Sequence, residues 1–247
     1  LRFAAVIPVF NERESLPLVV GDLRDPRLGE ILVVDNGSTD GTPEIAARLP
    51  VRLVREPRRG YGSACLAGIA ALASAPPDGV LFLDGDYSDH PEEAGRLLDA
   101  IEAGADLAIG SRILGSREPG ALLPQARAGN ALATFFIRRL YGFRYTDLGP
   151  FRAVRWEALR RIGMEDTNFG WTCEMQVKAV RAGLRIVEVP VSYRRRVGVS
   201  KIAGTVTGTL RAGYKILFTI AKYAAKPDPP APSARSDDDA ATGGNGK

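Results

Sequence analysis

The stretch "VLFLDGDYSDHPEE" (residues 80–93) carries the most information in this chain. Its four leading apolar residues, 80–83, read as a short buried strand. The run stops at Asp84-Gly85-Asp86, and a helical pattern follows over 91–102 with Pro91 in its first turn. Asp89 reads as the N-cap of that helix. Two carboxylates at i and i+2 on a strand terminus can share a metal and a diphosphate. Mg2+ and Mn2+ prefer oxygen ligands and are usually held by one or two carboxylates plus substrate phosphates. Such a metal neutralises a leaving diphosphate as its bond breaks. A D-x-D alone is common by chance; its place at a strand end gives it weight.

Outward from this segment, strand and helix alternate. Apolar or β-branched runs predict strands at 4–7, 31–34, 52–54, 80–83, 107–109, 150–154 and 186–189. Helical patterns fall at 14–21, 43–49, 62–74, 91–102, 125–141, 156–161, 172–182 and 205–223. This predicts an α/β fold with a mostly parallel, doubly wound (Rossmann-like) sheet and helices on both faces. Ligands of such sheets sit at the carboxyl ends of the strands. Polar motifs fall there: "PVFNE" (8–12), "DNGSTDGT" (35–42), "REPRRGYGSA" (55–64) and "DGDYSD" (84–89). Each has a bland reading as a turn or helix start, with Asp40 or Thr42 as a cap. Four at one sheet edge point to a site. The first turn lacks the G-x-G-x-x-G of a dinucleotide clamp, and no Walker pattern is present.

The 247 residues carry a net charge of +4, ordinary for a soluble chain. The charge is uneven: residues 181–226 hold ten Lys/Arg against one acid, Glu188, while the tail 227–247 holds four Asp against two basic residues. The basic stretch predicts an anionic partner. It lacks the aromatic spacing of a nucleic-acid surface, and no nucleic-acid partner is expected. The two cysteines, Cys65 and Cys173, exclude a disulfide framework and read as small buried helix residues. Neither a signal peptide nor a membrane span is evident; the longest uncharged run, 60–77, is rich in Ala and Gly and ends in Pro-Pro. A cytoplasmic location follows as an expectation, with peripheral attachment to the membrane face. On the last helix (203–226), Arg211, Lys215, Lys222 and Lys226 share one narrow face opposite Leu210, Leu217, Ile220 and Ala221. That amphipathic helix suits a membrane interface, or packing on the body, or a second subunit in a homodimer. Residues 1–226 read as one domain and 227–247 as a disordered tail without large apolar residues.

The motif set resembles the family 2 glycosyltransferases of the GT-A fold, through "IPVFNE", "VVDNGSTDGT", "RGYGSA" and "LDGDYSDHPEE" in that order. "GSR" (110–112), "TDLGPFRAVRWEAL" (146–159) and "RRVGVSK" (195–201) are similar to the branch of dolichyl- and polyprenyl-phosphate sugar synthases. The resemblance implies an inverting, metal-dependent hexose transfer from a GDP- or UDP-sugar. It places Pro8, Phe10, Glu12 and Asp35 at the nucleoside, Gly62 where the backbone approaches the nucleotide, and Asp84 and Asp86 at Mg2+ or Mn2+. The usual Gln after the second Asp is replaced by Ser88, so Ser88 or Asp89 completes the metal shell. His90 reads as a helix-start residue.

An alcohol acceptor needs a general base. The acidic pair common in hydroxyl-glycosylating relatives is reduced here to Glu174, within "NFGWTCEMQ" (168–176). A phosphate acceptor is already anionic and needs cations to position it. The resemblance gives Arg112 and Arg127 that task, and assigns Arg195 and Lys201 to a loop closing over donor or acceptor; Arg152 and Arg196 lie beside the matched motifs. Asp147 is the fallback base should the acceptor be an alcohol. The leading expectation is transfer to a polyprenyl or dolichyl phosphate. The rivals are a soluble enzyme acting on a small hydroxyl or phosphorylated metabolite, and a non-catalytic nucleotide-sugar-binding protein.

Overall fold

A computed structural model describes residues 1–198 and 206–224, without the side chains of 206–212. Lys201, Lys226 and the tail 227–247 therefore lie outside the described residues. Seven strands form one sheet: β1 (Phe3–Val9), β2 (Leu28–Asp35), β3 (Arg52–Arg55), β4 (Gly79–Phe82), β5 (Leu107–Ser111), β6 (Arg152–Arg155) and β7 (Ile186–Pro190). The helices are α1 (Leu16–Asp22), α2 (Thr42–Ala46), α3 (Tyr61–Leu72), α4 (Ala94–Glu102), α5 (Pro124–Tyr141), α6 (Trp156–Ile162), α7 (Trp171–Arg181) and α8 (Val206–Ala224). A 3-10 turn, Pro91–Glu93, leads into α4. All seven expected strands and eight expected helices are present.

The strand order is β3-β2-β1-β4-β6-β5-β7. Six strands run the same way, and β6 runs antiparallel to both β4 and β5. The crossover rule for parallel strands therefore does not apply to β6. The reversal matters for the site. It brings the start of β6, preceded by the 146–151 motif, to the edge where β4 ends in its aspartates.

Side chains alternate across the sheet as the pleat requires. Ala4, Val6, Val80, Phe82, Leu107 and Ile109 face one core, with α3, α5, α6, α7 and α8. Phe3, Ala5, Ile7, Leu81, Leu83 and Ala108 face the other, with α1 and α4. Cys65 and Cys173 are free and buried, on α3 and α7 as expected. Helix α3 lies close on β1: a Cβ on Gly68 would come within 2.5 Å of Val6 Cγ1.

Helix α8 packs against α5 and α7, with Ile220 and Tyr223 buried. Its described stripe lysines meet acids of the chain: Lys215 lies 3.0 Å from Asp166 and Lys222 3.6 Å from Glu165. Tyr214 and Phe218 stay exposed, their rings stacked with centroids 6.2 Å apart. Among the described residues no helix is long and apolar enough to cross a membrane.

The glycines of α3 and α5 make a controlled pair. Gly129 of α5 has nothing near its would-be Cβ. Gly129→Ala should stabilise the fold by up to about 1 kcal/mol through helix propensity. Gly68→Ala should gain the same term and lose more to overpacking, which costs about 1–3 kcal/mol. Thermal unfolding of the two variants should move in opposite directions.

Candidate active site

The candidate site is assembled from turns at the carboxyl ends of the parallel strands and from the turn before β6. Two non-glycine residues there hold left-handed backbone: Asn11 (φ 56°), after β1, and Tyr87 (φ 62°), after β4. Such values are uncommon outside glycine, and most so for a bulky side chain. The Tyr87 hydroxyl donates to Asp22 and its ring lies under Arg194, 3.6 Å from the guanidinium carbon.

After β4, Asp86 Oδ1 accepts from Ser88 N (2.9 Å) and Ser88 Oγ (2.6 Å), and Oδ2 pairs with Arg196 at 3.2 Å. Arg196 also pairs with Glu12 at 2.7 Å, joining the first and fourth turns. Asp84 Oδ1 and both carboxylate oxygens of Asp89 are buried and have no hydrogen-bond partner among the described residues. Burial first, and then the charge of Asp86, push the Asp84 carboxyl up to about 7. Burial and the charges of Asp84 and Asp86 push the Asp89 carboxyl well above the usual carboxylate range. Asp89 is thus no N-cap: His90 holds the cap position, without a side-chain capping bond. The His90 imidazole instead meets Glu92 at 2.8 Å.

Orphaned, buried, all-oxygen acceptors fit a hard divalent cation. Asp84 and Asp86 would hold it. No three His, Cys, Asp or Glu side chains among the described residues converge into a ready-made cluster. Of the two third ligands the sequence offered, Ser88 donates its hydroxyl to Asp86 and Asp89 is buried in the same turn, and phosphate oxygens would supply the remaining ligands.

Around this centre the expected nucleoside residues meet. Asp35 is buried after β2 and accepts from the backbone of Gly37 and Ser38. Pro8 is buried in β1, and the Phe10 ring carries the Arg59 guanidinium at 3.4 Å. Arg59 Nη1 also donates to the carbonyl of Asn36 at 2.7 Å. Asn36 ties the β2 and β3 turns together, donating to the carbonyls of Glu56 and Arg58 and accepting from Gly60 N. Gly62 serves a different approach from the one expected. A Cβ there would strike the Asp166 carbonyl, and Ser63 N donates to Thr167 O at 2.9 Å. The space is occupied by the chain's own backbone.

The cations divide into two kinds. Arg152 is wholly buried and donates to the carbonyls of Thr172, Leu148 and Gly149. It braces the turn before β6. Arg195 donates from its backbone to Glu118 and from Nε to Pro119 O, closing onto the 117–120 loop. Arg112 is nearer the centre. Its Nε and Nη2 form a fork on Asp147, both at 2.8 Å, and its ring neighbour is Tyr193. Burial opposes the Arg112 charge, and the Asp147 bonds more than restore it.

Asp147 accepts four bonds, from Arg112 N, Nε and Nη2 and from Leu148 N, and is completely buried. A carboxylate so occupied does not serve as a base. Glu174 is also buried and engaged, by Glu165 N, Asp166 N, the Tyr223 hydroxyl and Lys178. Arg127, on α5, lines a groove of about 660 Å³ with Arg138, Arg144, Ile113, Phe135 and Thr146. Arg196 and Asn36 gained their roles from contacts far along the chain, although both lie in or beside quoted motifs.

The sequence profile of glycosyl transferase family 2 matches residues 4–163. The chain belongs to that family and is a glycosyltransferase. It is 36% identical over 222 residues to the polyprenol monophosphomannose synthase of Mycolicibacterium smegmatis, covering 83% of this chain and 82% of that one. It is also 36% identical over 225 residues to the undecaprenyl-phosphate mannosyltransferase of Micrococcus luteus (84% and 90%). Glucosyl-3-phosphoglycerate synthase from Mycobacterium tuberculosis, solved with Mn2+, UDP and glucosyl-3-phosphoglycerate, shares the fold. Its TM-score is 0.70 at 21% identity, covering 92% of this chain and 81% of that one.

The raised Asp84 pKa has a sign that can be tested. The unfolded carboxyl ionises near its ordinary value of 3.8, whereas the folded one holds its proton to about 7. Folding stability from this group is therefore lost as pH rises between those values. Asp84→Asn should raise the metal-free melting temperature at pH 8 by at least about 2–4 °C, the shift that about 1 kcal/mol produces at this size. Near pH 3, where both states hold the proton, it should change little.

Proposed function

We propose that the chain transfers a hexose from a GDP- or UDP-sugar, with Mg2+ or Mn2+, to a polyprenyl phosphate at a membrane surface. One observation carries the choice of acceptor. Seven of the ten large apolar side chains exposed among the described residues, including Ile113, Leu132, Phe135, Tyr214 and Phe218, lie at 113–114 or on α5 and α8. These segments form or flank the groove that bears Arg127, Arg138 and Arg144. A phosphate with a long apolar tail matches cations beside exposed apolar surface. A small phosphorylated metabolite would use the arginines and leave the apolar rim without a role. The names of two relatives, a polyprenol monophosphomannose synthase and an undecaprenyl-phosphate mannosyltransferase, support the same acceptor.

The mechanism is an in-line displacement. An acceptor phosphate oxygen attacks the anomeric carbon, its bond to the donor diphosphate breaks, and the nucleoside diphosphate leaves with inversion. The nucleophile is already an anion, so the engaged state of Asp147 and Glu174 is no obstacle. Bound metal would supply charge neutralisation on the diphosphate. Asp84 and Asp86 would hold it. Arg196, now on Asp86 and Glu12, lies within reach of the same charge. Phe10, Asp35 and Arg59 would frame the nucleoside, and Arg112 and Arg127 would orient the acceptor.

Transfer of labelled sugar to polyprenyl phosphate in vesicles should proceed, while small phosphorylated acceptors should remain unlabelled. The reverse pattern would replace this acceptor with a metabolite. Asp86→Ala should lower turnover at least about a hundredfold with the fold intact. Arg127→Ala should raise the acceptor KM about tenfold or more, the loss of one charge-assisted bond, and leave the donor KM alone. Serine at both Tyr214 and Phe218 should weaken vesicle binding and spare transfer to a short-chain, water-soluble polyprenyl phosphate.

A further inference from the structure

Glu188 is the one acid in the basic stretch 181–226. It lies on β7, paired in register with Ile109 of β5, and shares the helix-covered face with Ile186. Burial raises its pKa, and bonds from Thr146 and Asp147 oppose that rise. Its carboxylate accepts from Thr146 N at 2.9 Å, Thr146 Oγ1 at 2.9 Å and Asp147 N at 3.1 Å. Ser111 Oγ meets Thr146 Oγ1 at 2.6 Å from the strand between. A half-buried carboxylate on an otherwise apolar face is costly unless so satisfied.

The turn held by Glu188 is a junction. Through the Asp147 side chain it fixes the Arg112 guanidinium in a planar fork. On its other side, Asn130 of α5 donates to Thr146 O and accepts from Leu148 N, both at 2.9 Å. Helix α5 carries Arg127 one turn earlier. The two arginines come from different elements, and this turn is bonded to both elements.

We infer that Glu188 is a positioning residue: by clamping Thr146 and Asp147 it sets Arg112 relative to Arg127, and so sets the grip on the acceptor phosphate. This rests on reading the two arginines as the acceptor pair. A carboxylate is needed because two backbone N–H groups and a hydroxyl converge on it, and a neutral amide offers one acceptor oxygen.

The test measures acceptor and donor KM separately for Glu188→Ala, Glu188→Gln, Arg112→Ala and the double variant Glu188→Ala/Arg112→Ala, with thermal unfolding of each. Glu188→Ala should raise the acceptor KM about tenfold and leave the donor KM within about twofold. Glu188→Gln should recover part of the loss, and it keeps the inference testable if the alanine variant does not fold. In the double variant the Glu188 effect should largely vanish, since it acts through Arg112. A strong Arg112→Ala effect beside a silent Glu188→Ala, or additive losses, or an equal rise in donor KM, would overturn this role for Glu188 alone. An Arg112→Ala variant with unchanged acceptor KM would overturn the acceptor-pair reading, and the inference with it.

Discussion

Burying ionisable groups of like charge side by side costs free energy when they ionise, and at the end of β4 the chain places three carboxyls within six residues. Asp84, Asp86 and Asp89 crowd one turn, and only Asp86 has a cation at salt-bridge distance among the described residues. The strained backbone of Tyr87 lies in the middle of that turn. Low dielectric makes unpaired carboxylates both expensive and receptive to a cation. The neighbouring turns are arranged about this negative centre: Glu12 reaches it through Arg196, and Arg112 faces it across Tyr193. A nucleotide diphosphate, itself anionic, can join such a centre only in company with positive charge.

The other half of the site has the opposite electrostatics. Arg112, Arg127, Arg138 and Arg144 lie in or near the groove beside α5, and the carboxylates of that region are spoken for. Asp147 is saturated by donors, and Glu174 holds the 165–166 loop. An acceptor that must lose a proton finds no base in either. An acceptor that arrives ionised finds cations already oriented.

Much of this was legible in the sequence because strand ends announce themselves. Apolar runs that stop in DGD, DNG or EPRRG mark both the element and the edge on which its polar residues fall. The direction of β6 was not legible: "RAVR" pairs equally well either way, and only the tertiary structure reverses it. Gly62 shows a related limit. Its sequence position demands close approach but does not say by what, and the answer is the chain's own Asp166. Arg152 lies beside the matched motifs with the other cations, yet it is wholly buried and its Nη groups are spent on three carbonyls of the chain's own turns. Arg196 and Glu188 act on residues far away in sequence, 184 positions in the case of Glu12. Glu188 did leave one trace, as the lone acid in a basic stretch.

The central claim is that the β4 carboxylates take up a divalent metal together with a nucleoside diphosphate. Thermal unfolding in a panel of GDP, UDP and their sugars, each with and without Mn2+ or Mg2+, tests it most directly, since a ligand bound by the folded state stabilises by mass action. One base should raise the melting temperature strongly with metal and weakly without, and Asp86→Ala should abolish the difference. Equal stabilisation with and without metal, or a metal effect that survives Asp86→Ala, would contradict the account.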